Sequence, residues 1–308
     1  MANRHSVSHN AYDDAFRTIE GQCDDALLAF VNHMFNEHYD RLAHITRLRN
    51  EHFIEHNGKA GEKRVTDSHF EISQNGEVKI YQIECESTGY SKTLLVRFFQ
   101  YGVQTAIDNN THTRDRIVVS MPRTGLLVLR SKGDPPQRVT FEIQTPGGDI
   151  SYEVPVICMA DYSLERIFAE NLYFLLPFFV FNLEDRMDEF EKDENARQEF
   201  VDIYRNILEK LRDLDEAVLS LRSKGVIIKQ MEAVAMRMTK EKKEVRRKVG
   251  DLMGGKVVEM EWLKQFDAAV AKGREEGREE GAAERQAMAK EIEQLRKENE
   301  RLKEMIPG

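Results

Sequence analysis

Residues 64–86 read RVTDSHFEISQNGEVKIYQIECE, and the fold of the chain turns on how they pair. RVTDSHFEIS (64–73) and EVKIYQIECE (77–86) are rich in β-branched and aromatic residues. Asn75-Gly76 between them is the strongest short hairpin signal a sequence carries, because both residues tolerate positive φ. With these two as the loop, Gln74 faces Glu77, and counting back pair by pair sets Asp67 opposite Glu84. Side chains alternate along a strand, so Glu86 shares a face with Glu84 while Cys85 points the other way. Three acids are expected to converge.

Like charges directly opposed on a sheet destabilise it, each carboxylate raising the pKa of the other, unless a cation lies between them. A divalent ion is the economical explanation, and all-oxygen donors suit Mg²⁺ or Mn²⁺. An acid-rich surface hairpin that binds nothing carries the same signature. The pairing count also fails if the turn holds three or more residues.

Working outward, the chain has 308 residues, enough for one sizeable core with appended segments. Its net charge of −9 and pI near 5.6 argue against the whole surface being a nucleic-acid footprint, though not against a local basic groove. Cys23, Cys85 and Cys158 lie far apart without Cys-x-x-Cys spacing, which suggests neither a disulfide framework nor a zinc site and fits a reducing cytoplasm. MANRHSVSHN at the start has no apolar segment behind its charges, and the longest apolar run, 172–181, is too short to span a bilayer. A soluble, cytoplasmic protein without membrane partners is expected.

Residues 12–37 carry Phe16, Ile19, Leu27, Leu28, Phe30, Val31, Met34 and Phe35 at helical spacing, softly broken at Gly21-Gln22. One or two helices are expected there, then a strand over 44–55 and a polar turn at 56–61. After the hairpin, Leu94, Leu95, Phe98, Phe99 and Val103 predict a helix over 91–109 with Ser91 as its N-cap. Runs 116–121, 126–130, 138–144 and 150–157 read as strands, separated by Pro122 to Gly125 and by Thr145-Pro146-Gly147-Gly148-Asp149. The expected organisation is an α/β core over 1–160, a helical region over 161–260 in which Pro177 kinks or ends a helix, and a charged tail over 261–308. In that tail Ile292, Leu295, Asn299, Leu302 and Ile306 alternate by three and four, with Asn299 at an a position, the pattern of a short parallel dimeric coiled coil. A lone solvated helix is the alternative.

Several further residues have both a chemical and a plain reading. His69 shares the face of Asp67. His52 and His56 have metal-like spacing only if helical, and as a strand or loop they read as solvated. Arg97 and Tyr101, four apart on one helix face, suit a phosphate or an ordinary helix surface. The basic run Lys240 to Lys248 suits phosphates, but Glu241 and Glu244 interrupt it, which favours a solvated helix face.

The ordered series TDSHFEI around Asp67, IECES from Ile83, RFFQYG from Arg97, TPGGDISYEVPV and LERIFAENLYFLLPFFVF resembles the bacterial Rpn-type recombination-promoting nucleases, also known as PD-(D/E)XK nuclease family transposases. The resemblance runs from about Tyr12 to Gly255, and the Gly-Arg-Glu-Glu tail is also typical. It implies a restriction-endonuclease-like mixed sheet flanked by helices. Asp67 and Glu84 would be the metal-binding acids, Glu86 a further ligand or water-holding group, Arg97 a phosphate-supporting cation and Glu51 an additional ligand, although an exposed strand Glu is the simpler reading of Glu51. Glu86 stands where the family has Lys, or Gln in this branch; it accepts hydrogen bonds or binds metal but supplies no cation. The expected activity is Mg²⁺-dependent hydrolysis of phosphodiester bonds in double-stranded DNA, promoting recombination or serving mobile DNA, by a dimer joined through the tail. The competing expectation is an inactive nuclease fold kept for DNA binding or oligomerisation, and an RNA-directed nuclease fits the same residues.

Overall fold

The structure is a computed structural model that describes residues 11–48, 51–56, 59–65, 67–108 and 110–253, with the backbone path alone for 51–56 and 59–65. The tail, and with it the expected coiled coil, lies outside the described residues. The described residues fall within one compact unit.

Two helices, α1 (Ala11–Gln22) and α2 (Asp24–Phe35), open the fold. The break falls at Cys23, one residue after the expected Gly21-Gln22, and Asn36 ends α2 in the left-handed conformation. The expected strand over 44–55 divides in two. β1 (His44–Arg47) joins the main sheet, whereas β2 (Glu51–His56) pairs with β3 (Lys59–Val65) in a separate ribbon. The hairpin follows as β4 (Ser68–Gln74) and β5 (Glu77–Glu86). The first strand therefore starts at Ser68 rather than Arg64, since Arg64 and Val65 pair with β2 instead.

The hairpin register is the expected one, from Gln74↔Glu77 to Ser68↔Ile83. Asn75 at φ 54° and Gly76 at φ 83° supply the paired left-handed conformations of a tight two-residue turn. Phe70 faces Tyr81 across the ladder with ring centroids 5.6 Å apart.

Next come α3 (Lys92–Asp108), a small β6 (Thr111–His112) and β7 (Ile117–Val118) ribbon, and the strands β8 (Arg123–Val128), β9 (Arg138–Thr145) and β10 (Gly148–Cys158). Ser91 caps α3, its Oγ accepting the Leu94 N–H at 3.2 Å. The strand expected over 116–121 shrinks to two residues, and β8 starts three residues early, through the expected break, because Arg123 pairs with Tyr81. The six-stranded sheet has the order β1-β4-β5-β8-β10-β9. It is mixed: β5, β8 and β10 run parallel and the other pairings are antiparallel.

Helices cover both faces. α3 lies over Leu126, Val128 and Val156 through Leu94. On the opposite face α2 presses on β8 at Gly125, where an added Cβ would fall inside the Met34 sulfur and 2.9 Å from Phe35 Cζ. Phe35 also meets Tyr81, with centroids 5.1 Å apart.

Beyond β10 lie α4 (Leu164–Ala169), a 3₁₀ segment (Tyr173–Arg186), α5 (Met187–Lys192), α6 (Glu194–Asp213), α7 (Leu221–Met238) and α8 (Lys243–Met253). Pro177 neither kinks nor ends an α-helix; it sits inside the 3₁₀ segment, whose apolar residues are buried nearly all round. This segment packs on the first two helices. Phe174 stacks on Phe30 at 4.6 Å and meets Phe16 edge-on at 5.3 Å, and burying each ring contributes about 1.5–3 kcal/mol. The α7 N-cap is tied to α2, since Asp25 accepts from the Ser220 N–H at 2.8 Å and the Ser223 hydroxyl at 2.5 Å. No helix among the described residues is long and apolar enough to cross a membrane.

Candidate functional site

Continuing the β4–β5 register by one residue brings Asp67 beside Glu84, at the end where β4 stops and β5 continues. Asp67 lies just outside the ladder, which frees its carboxylate to serve two elements. Oδ2 accepts the Cys85 backbone N–H at 3.0 Å, and Oδ1 accepts Arg17 Nη2 of α1 at 3.1 Å. The Asp67 backbone N–H in turn reaches the Glu84 carboxylate.

Glu84 is only 5% exposed. Its Oε1 is 3.5 Å from Gln82 Nε2, and Gln82 accepts from the Thr105 hydroxyl of α3 at 3.3 Å. Burial, then the charge of Asp67, pushes the Glu84 carboxyl well above the usual carboxylate range. Burial raises Asp67 too, against the opposing pull of the Cys85 N–H and of Arg17. Loss of solvation on burial disfavours both charges, so in the absence of a cation the pair favours holding a proton.

Glu86 takes a different direction. Its Oε2 accepts Arg97 Nη2 at 2.9 Å, and its Oε1 accepts the Thr88 N–H at 2.8 Å and hydroxyl at 2.6 Å. The expected convergence of three acids is accordingly a pair, Asp67 with Glu84, beside a third carboxylate held by α3. Among the described residues no group of three His, Cys, Asp or Glu side chains is disposed to hold a metal ion. A buried and a part-buried carboxylate nonetheless fit Mg²⁺ or Mn²⁺ chemically, since Mg²⁺ is commonly bound by one or two carboxylates and completes its shell with water and substrate oxygens.

Arg97 projects from α3 with its side chain about half exposed, while Tyr101 one turn further is buried. His69, opposite Gln82, is also buried. Glu51, His52 and His56 lie on β2, a strand as expected, and their side chains fall outside the described residues. The Lys240–Lys248 run is interwoven with acids, Arg247 pairing with Glu244 at 2.9 Å and Lys248 with Glu194 at 3.8 Å.

The sequence reading missed the part α1 plays at the site. Asp13 and Arg17, one turn apart, both act on Asp67. Burial, then the negative charge of Asp67, raises Asp13 to about 6, with Arg17 opposing. The only available signal was the i, i+4 spacing of an acid and a cation on a helix otherwise read for its apolar face. Cys85, buried beside these acids, has its thiol pushed well up by burial and is not a reactive thiolate. A cleft of about 740 Å³ opens beyond β8 and β10, lined in part by Arg130, Lys132, Tyr162 and Glu184; the acids are not among its lining residues. The acid pair sits instead where β4 stops and β5 continues.

Comparison of the chain with protein-family models, with curated proteins and with solved structures gives no match.

Proposed function

We propose that this chain is a cytoplasmic, Mg²⁺- or Mn²⁺-dependent endonuclease acting on double-stranded DNA, with a restriction-endonuclease-like core, in the service of recombination or mobile DNA. The observation that carries the reading is the pair of buried Glu84 and part-buried Asp67 at the sheet end, flanked by Arg17 of α1 and Arg97 of α3. A divalent cation held by Asp67 and Glu84 would supply Lewis-acid polarisation of a phosphate and a bound water of lowered pKa.

The chain's own residues do the rest. Arg17 offsets the charge of Asp67 in the free protein. Gln82, held by Thr105, lies against the Glu84 carboxylate. Arg97 is exposed enough to leave Glu86 for a phosphate oxygen, which a guanidinium engages through two parallel N–H donors. Glu86 returns the guanidinium to its resting place. In the reading carried by the heptad in the tail, a homodimer sets two such sites on one duplex.

A second reading is favoured by the engagement of Glu86 with Arg97 and Thr88: a nuclease fold retained for DNA binding or assembly, without turnover. Supercoiled plasmid incubated with Mg²⁺ or Mn²⁺ separates the two. Nicking or linearisation by the wild type, lost in Asp67→Ala and Glu84→Ala, supports the endonuclease. Cleavage undiminished in both variants removes this site from the mechanism, and DNA binding without cleavage by any form supports the second reading.

A further inference from the structure

β9 ends the six-stranded sheet, and no strand of the described residues lies on its outer side. Its hairpin with β10 closes through Pro146-Gly147, with Thr145 opposite Gly148. The Val156 N–H donates to the Gln137 carbonyl at 2.9 Å, which fixes the phase of the ladder. Odd-numbered residues of β9 bond to β10, so Arg138, Thr140, Glu142 and Gln144 turn their N–H and C=O groups to the open edge. Such an edge is a template for another strand, and proteins ordinarily blunt it with Pro, Lys, a bulge or brevity. RVTFEIQT has no Pro or Lys, pairs with β10 without a bulge and runs eight residues. The opposite edge, β1, has four.

We propose that β9 pairs antiparallel with β9 of a second copy of this chain, with Thr140 on the two-fold axis. The sequence complements itself in that register. Arg138 falls opposite Glu142 of the second copy on the polar face, and Val139 opposite Phe141 of the second copy on the apolar face. The Arg138 side chain is 65% exposed, and its contact with Glu153 at 3.0 Å leaves it on that same polar face. Like charges never meet, each copy satisfies the edge of the other, and the isologous contact closes rather than propagates. The apolar side continues the row in which Phe141 stacks between Phe99 of α3 and Tyr152, at 5.3 and 5.6 Å. This inference does not rest on the chemistry of the acid pair. A dimer joined through the tail alone does not require it.

Cysteine cross-linking of the full chain tests it. Opposed residues of a hydrogen-bonded antiparallel pair have Cα atoms about 5.5 Å apart, inside the disulfide range of about 4.4–6.8 Å. The native cysteines are buried. Under mild oxidation Thr140→Cys is expected to yield a species of twice the chain mass, while Ser151→Cys, exposed on the neighbouring strand, remains a single chain. Adding Glu142→Arg to Thr140→Cys should abolish the cross-link, and adding Arg138→Glu as well should restore it. Equal cross-linking of Thr140→Cys and Ser151→Cys, no cross-link at Thr140, or indifference to the charge exchange each overturns the proposal.

Discussion

Arg17 Nη2 donates to Asp67 Oδ1 at 3.1 Å across fifty positions of sequence, and this contact joins α1 to the end of the central hairpin. With Arg17 removed, Asp67 keeps the Cys85 N–H but loses its cation. Leaving a part-buried charged acceptor undersatisfied costs up to about 1–3 kcal/mol. Arg17→Gln is therefore expected to lower the unfolding midpoint in urea at pH 7.5, and by less at pH 5, where Asp67 more readily takes a proton. Equal loss at both pH values counts against the ion pair as the cause.

Glu84 supplies a prediction of opposite sign. Its folded pKa is raised by burial above the unfolded value of about 4.3. The stability linked to this group is fully present below the unfolded pKa and is lost as pH rises through the folded pKa, because only the native state keeps the proton in between. Glu84→Gln removes that penalty. Calorimetry should find the variant more stable than the wild type at pH 8, with an advantage that grows from pH 5 by up to about 1.4 kcal/mol per pH unit until the folded pKa is reached. An advantage independent of pH would falsify the burial-driven proton.

If Asp67 and Glu84 hold a divalent cation, binding to the native state alone raises its stability by about 2.7 kcal/mol at a hundredfold excess over Kd. Thermal shift with Mn²⁺ should register this for the wild type and not for Asp67→Ala or Glu84→Gln. Glu86→Gln should keep most of it, since Glu86 is turned toward Arg97 and Thr88. Loss in Glu86→Gln equal to that in the other two would make Glu86 a ligand.

Glu86→Gln also frees Arg97 from its 2.9 Å ion pair. In the endonuclease reading, plasmid cleavage should rise in this variant, because the guanidinium no longer has to leave a carboxylate to meet phosphate. Cleavage that falls assigns Glu86 a direct part in the reaction.

The packing of α2 on the sheet has its own test. Gly125→Ala drives a Cβ against Met34 and Phe35, and overpacking of this kind costs about 1–3 kcal/mol. Urea unfolding should show it, and pairing the change with Met34→Ala should recover part of the loss.

The local elements were legible because their determinants are local. Asn75-Gly76 fixes a two-residue turn, the turn fixes the register, and the register brings Asp67 beside Glu84 without reference to any other part of the chain. Ser91 marks the start of α3 for the same reason. The readings that shifted were those in which a neighbouring strand intervened: Arg64 and Val65 went to β2, and β8 began at Arg123 because β5 was there to pair with it.

By itself, then, the sequence determined the hairpin, its register, the pair of opposed acids and the helix that follows, all through turn conformation and side-chain alternation over a few residues. Only the tertiary structure decided that α1 would bring Asp13 and Arg17 to Asp67, that Arg97 would engage Glu86, and that β9 would be an edge strand among the described residues. These depend on contacts between segments far apart in the chain. Burial and the summed field of charges set them, and neither is encoded in the spacing of residues along one segment.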